Sequence, residues 1–197
     1  MRTPPPALLP LLRSQVQGDL LALLYLHPER SYSLTEAAGR IGVSVKAVQQ
    51  EASRLVEAGY LADERRGPLR LVRARTDTPV ARPLTDLLAV TYGPLPVLTD
   101  LLGAIEGIER AFIYGSWAAR YRGEPGPVPA DVDVLVVGTA DADELHAAAL
   151  TAEEQLGRPV DLRRVRPPVW EAGEDPFLAT VRERPRVELD LGGGAAA

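Results

Sequence analysis

The chain has 197 residues, 46% hydrophobic and 25% charged, the balance of an ordinary globular protein rather than of a disordered, collagen-like or membrane-embedded one. It contains no cysteine and only two histidines, His27 and His146, far apart in sequence, which excludes disulfides, thiolate nucleophiles and cysteine–zinc sites. The net charge of −5 is uneven: residues 1–80 carry ten Arg and one Lys against eight acids, whereas residues 81–197 carry eleven Arg against nineteen acids.

The opening MRTPPPALLPLL is interrupted by four prolines, and the apolar run Leu20 to Leu26 is far shorter than the roughly 18 to 20 residues of a membrane span. These features predict no secretory signal, no transmembrane helix and a cytoplasmic protein. Leu12, Val16, Leu20, Leu23 and Leu24 recur at helical spacing and predict an amphipathic helix from about Leu11 to Leu26, stopped by His27 and Pro28. His27 is expected to complement the helix dipole or to face solvent. Ser33 and Glu36 have the spacing of a capping box and predict a short helix from Ser33 to about Arg40. After a turn at Ile41 and Gly42, Ser44 caps a further helix through Ala58, with Gly59 as its stop. Val45, Val48, Ala52, Leu55 and Val56 form its apolar stripe, while Lys46, Gln49, Gln50, Ser53 and Arg54 lie largely outside it. Tyr60 to Arg65 and Leu69 to Ala74, joined through Arg66, Gly67 and Pro68, predict a β-hairpin with Arg65 and Arg66 near its tip.

Residues 76–107 are expected to form a helical connector with short helices over Leu84 to Val90 and Leu95 to Leu102. From Glu109 strands and helices alternate: strands over Ala111 to Tyr114, Val132 to Val137 and Val160 to Val165, helices over Trp117 to Arg122 and Ala142 to Leu156. The expected fold class is therefore α/β overall, with domains over 11–75 and 108–190 and a mobile GGGAAA tail.

The order helix, capped helix, turn, helix, hairpin over residues 11–75 resembles winged helix-turn-helix regulators of the ArsR and MarR kind. The resemblance implies that Ser44, Lys46, Gln49 and Gln50 read base edges in double-stranded DNA, while Arg54, Arg65 and Arg66 contact phosphates. The basic excess of this half is small, so a homodimer on a two-fold operator is expected. The competing reading is a packed core with a solvated polar face.

In the second half, Phe112-Ile113-Tyr114-Gly115-Ser116 is followed by Asp131-Val132-Asp133-Val134. Strand alternation places Asp131 and Asp133 on one face, and Asp161 can join from another strand. Three carboxylates suit Mg²⁺, a hard ion, in the two-metal arrangement that serves phosphoryl transfer. Gly115 and Ser116 at a strand-to-helix turn suit close approach of a nucleoside triphosphate, and Arg120 is expected either to add a positive charge there or to be a solvated surface arginine. The Gly-Ser pair, the Asp-Val-Asp and Asp161 resemble the minimal nucleotidyltransferase domains of the polymerase β superfamily, over about residues 105–170. The segment Gly123 to Pro129 lengthens the family's spacing between the two motifs. The resemblance implies that Asp131 and Asp133 bind metal and that Asp161 activates an acceptor hydroxyl, making these three the catalytic set. It implies two functions: a DNA-binding transcription regulator with a Mg²⁺- and nucleotide-binding second domain, or an active, antitoxin-like nucleotidyltransferase that modifies a protein or RNA hydroxyl and pairs with a toxin protein. A structural acidic strand end, and an intact fold without catalysis, stand as alternatives.

The only lysine, Lys46, follows Val45, so there is no Walker A loop. Asp141, Asp143 and Glu144 are expected to cap a helix, His146 to be structural or solvated, and Trp117 to pack in the core or to stack on a nucleotide.

Overall fold

A computed structural model describes residues 12–192; the expected helix start at Leu11 and most of the GGGAAA tail lie outside them. The chain is a mixed α/β protein that divides into two compact units between Gly93 and Pro94. Among the described residues no helix is long and apolar enough to cross a membrane.

Unit one contains α1 (Gln15–Tyr25), β1 (Tyr32–Ser33), α2 (Leu34–Ile41), α3 (Val45–Glu57), β2 (Leu61–Arg66), β3 (Leu69–Ala74) and α4 (Ala81–Tyr92). Helices α1, α2 and α3 begin where side chains replace missing backbone partners. Ser14 accepts from the Gln17 amide and Ser44 from the Ala47 amide, while Ser33 and Glu36 form a reciprocal capping box at 3.2 and 2.8 Å. Gly42, at φ 70°, ends α2 in the left-handed region that other residues enter at a cost. The hairpin closes with Arg66 opposite Leu69, and β1 joins the far side of β3 to give the antiparallel order β1-β3-β2.

Leu20, Leu24, Tyr25, Val48, Leu61 and Leu88 are core residues of this unit. Val45 departs from the expected apolar stripe: at the first position of α3 it is 42% exposed. His27 is buried, with Nδ1 3.9 Å from Glu29, so a solvent-facing position for it is excluded. α4 starts three residues before the expected Leu84 because Pro83 falls in its first turn, where a helix needs no amide donor.

Unit two contains α5 (Pro94–Leu102), β4 (Ile108–Tyr114), α6 (Gly115–Tyr121), β5 (Val132–Gly138), α7 (Ala142–Leu156), β6 (Val160–Val165), α8 (Pro167–Ala172), α9 (Pro176–Glu183) and β7 (Val187–Glu188). The sheet has the order β6-β5-β4-β7, with β5 and β6 parallel and the other pairs antiparallel. Register and alternation put Phe112, Leu135, Val137 and Val165 on one face, where Trp170, Leu178 and Val181 from α8 and α9 complete a buried cluster. Phe112 and Trp170 stack with centroids 5.3 Å apart. Asp141 caps α7 by accepting from the Asp143 and Glu144 amides, leaving those two acids in the first turn.

Candidate functional site

The carboxylates of unit two meet at one end of its sheet. Asp133 on β5 lies directly opposite Asp161 on β6 and opposite Tyr114 on β4, so all three project from the same face. Asp131 lies in the bend immediately before β5, near enough for its charge to act on Asp133. Asp131 and Asp161 are exposed and Asp133 is half-buried.

The strand-to-helix turn after β4 closes the site from one side. Gly115 has φ +66° and opens α6, and a Cβ there would collide with the Asp133 carboxylate, lying also 3.2 Å from its Cγ. Glycine is thus required twice, by the backbone conformation and by the carboxylate in the space a side chain would fill. Ser116 is exposed in the first turn beside it.

Burial raises the Asp133 carboxyl above its ordinary range, and the nearby Asp131 and Asp161 raise it further. No ion pair or hydrogen bond to Asp133 offsets this among the described residues. The Tyr114 hydroxyl is pushed up to about 12, first by burial and then by Asp133 and Asp161. On the same face Phe177 meets Tyr114 edge-on at 5.7 Å, and the Arg163 guanidinium lies 4.1 Å from the centre of the Phe177 ring. Arg163 and Phe177 therefore lie about Tyr114.

No set of three or more histidine, aspartate or glutamate side chains among the described residues is gathered tightly enough to form a metal cage by itself. Mg²⁺ seldom needs one, since it is commonly held by one or two carboxylates, waters and substrate phosphates. The side chains of Asp131, Asp133 and Asp161 offer only oxygen donors, the kind a hard ion such as Mg²⁺ takes.

The remaining residues separate clearly. Arg120 is half-buried on α6, and its guanidinium rests against Gly126, where a Cβ would come within 2.6 Å of it. Trp117 is 1% exposed and packs with Tyr121 at 5.9 Å and Arg158 at 5.2 Å, so it belongs to the core and offers no open stacking surface. His146 is exposed and lines, with Leu145, Asp161 and Arg164, a groove of about 310 Å³ between α7 and β6.

In unit one, Ser44, Lys46, Gln49 and Gln50 are all exposed on α3, beginning at its N-terminus. Arg65 and Arg66 lie exposed at the closed end of the hairpin. Two of the basic residues are partly spoken for: Arg54 pairs with Glu51 at 3.3 Å and Arg66 with Glu64 at 3.0 Å. Arg70 reaches from β3 to Ser53 on α3 at 2.9 Å and to Asp63 at 2.8 Å, tying the hairpin to that helix. No protein-family model matches this chain, and no curated protein matches it in sequence.

Proposed function

We propose that the protein is a DNA-binding transcription regulator whose second unit is a nucleotidyltransferase-like domain binding Mg²⁺ and a nucleoside triphosphate. The observation that carries the reading is the Asp133 carboxylate, lodged against positive-φ Gly115 and flanked by Asp131 and Asp161 without a compensating cation. Leaving a charge so placed is costly to the fold, and a bound cation relieves that cost. In this reading Asp131 and Asp133 hold the ion, and the turn at Gly115 and Ser116 offers backbone amides to the triphosphate. Unit one, read as a winged helix-turn-helix, supports the regulatory half: α3 presents Ser44, Lys46, Gln49 and Gln50 to base edges, and Arg54, Arg65 and Arg66 reach phosphates. Binding as a homodimer gathers more phosphate contacts than one weakly basic unit supplies.

A second reading, an active nucleotidyltransferase, is favoured by Asp161. It is exposed, and no hydrogen bond or ion pair occupies it among the described residues. As a general base it would take the proton of an acceptor hydroxyl while that oxygen bonds to the α-phosphorus and pyrophosphate departs. Bound Mg²⁺ supplies charge stabilisation on the phosphate oxygens. A toxin protein or an RNA is the acceptor class this reading requires.

Calorimetry with each nucleoside triphosphate and Mg²⁺ tests the first reading. The intact chain binds and the Asp131→Ala, Asp133→Ala variant does not; absence of binding by the intact chain overturns the nucleotide site. Operator retardation that survives this double variant but falls in Gln49→Ala or Arg66→Ala supports the DNA-binding role. Incorporation of labelled nucleotide, lost in Asp161→Ala while nucleotide binding persists, distinguishes the enzyme from the regulator.

A further inference from the structure

Four arginines from three distant places in the sequence meet on one surface of unit two. Arg110 on β4, Arg122 just past α6, and Arg184 and Arg186 between α9 and β7 line an open groove of about 530 Å³. Glu183 and Glu188 are the acids among its lining residues. The surplus of positive charge is local, for residues 81–197 carry eleven Arg against nineteen acids.

Of the four guanidinium groups, only that of Arg110 is paired with an acid among the described residues. Arg110 takes Glu188 in a two-pronged ion pair at 2.7 and 2.9 Å, which lowers the Glu188 carboxyl. Arg122 and Arg186 donate instead to the main-chain carbonyls of Arg186 and Arg182, at 3.3 and 2.5 Å, and a carbonyl orients a guanidinium without cancelling its charge. The side chain of Arg184 is exposed and makes no hydrogen bond or ion pair among the described residues. Arg110 and Arg186 also lie 4.8 and 5.8 Å from the centre of the buried Phe112 ring, which gives the groove a rigid floor.

We propose that this groove binds the phosphate backbone of a single-stranded nucleic acid. Guanidinium forks match phosphate oxygens two at a time, and their planes also stack on unpaired bases. Arg122, Arg184 and Arg186, which have no acid partner among the described residues, spread along an open groove and suit a chain of phosphates, whereas one small anion would engage only one or two. The groove uses none of the carboxylates assigned above, so it stands or falls independently of the nucleotide site.

Fluorescence anisotropy with a labelled ten-nucleotide oligouridylate, the full-length chain and EDTA tests the site without any metal. The intact chain binds, and Arg184→Ala with Arg186→Ala weakens binding at least tenfold. The logarithmic salt slope becomes shallower by about 1.4, two phosphate contacts at roughly 0.7 each. Arg184→Glu alone, at an exposed side chain without bonds to the fold, also weakens binding and separates loss of the site from unfolding. No binding by the intact chain, or unchanged affinity and slope in these variants, overturns the proposal. So does complete displacement by inorganic tripolyphosphate at an equal phosphate concentration, which makes a small polyanion the ligand.

Discussion

Glu51 in unit one and Asp133 in unit two are both withdrawn from solvent, yet their neighbours are opposite. Glu51 on α3 is 7% exposed and receives Arg13 at 2.5 Å and Arg54 at 3.3 Å. Asp133 has acids for neighbours and is driven toward its protonated form. A buried acid supplied with cations ties elements together, here the chain just before α1 to α3. A half-buried acid denied them destabilises the fold in its charged form.

This contrast can be broken by mutation. Glu51→Ala strands two arginines that are each about half exposed and can rehydrate, so the expected loss is about 2 kcal/mol, below the range for a fully buried pair; urea unfolding measures it, and a loss under about 0.5 kcal/mol would show that the pair holds nothing together. Gly115→Ala forces a side chain into the left-handed region and into the Asp133 carboxylate, costing about 1 to 2 kcal/mol in the same experiment together with loss of nucleotide binding. Ser33→Ala removes the capping box from α2 and should cost about 1 kcal/mol with no effect on unit two.

Asp133→Asn has the smallest effect and the opposite sign. Because the native Asp133 carboxyl is raised above its unfolded value, its contribution is fully present at low pH and is lost as pH rises through the native value. The variant should therefore melt at a higher temperature than the parent at pH 7, with the difference vanishing below the ordinary carboxylate range. Added Mg²⁺ should raise the melting temperature of the parent alone. A variant less stable than the parent at pH 7 would mean that Asp133 has a cation-like partner after all.

Elements announced by side chains that cap or alternate could be read from the sequence. The helix over Ala142–Leu156 and the strand over Val160–Val165 have the expected bounds, and the starts at Ser33 and Ser44 follow from their caps. α8, α9, β1 and β7 were not anticipated. α8 and α9 have six and eight residues, too few to display a period, and each opens on a proline that reads as a breaker although it fills the first helical position. β1 and β7 have two residues each and exist only through their partners β3 and β4. At the carboxylate site, alternation and the Gly-Ser turn named Asp131, Asp133, Gly115 and Ser116, and the register of β5 with β6 places Asp161 opposite Asp133. Phe177 carried no signal, since its place beside Tyr114 arises from α9 packing over the sheet. The arginine groove was equally hidden: its residues are spread from 110 to 186 in a segment that is acidic in sum.

β6 is the outermost strand of its sheet, paired on one side only among the described residues, and it displays Asp161, Arg163 and Arg164 to solvent. Charges on a short border strand keep it from zipping onto a neighbouring chain. Asp161 thus guards the border as well as facing the carboxylate cluster, and exchanging it for an apolar residue exposes backbone that invites self-association. A variant made there has to be compared with the parent at matched, low concentration, with turbidity followed in parallel.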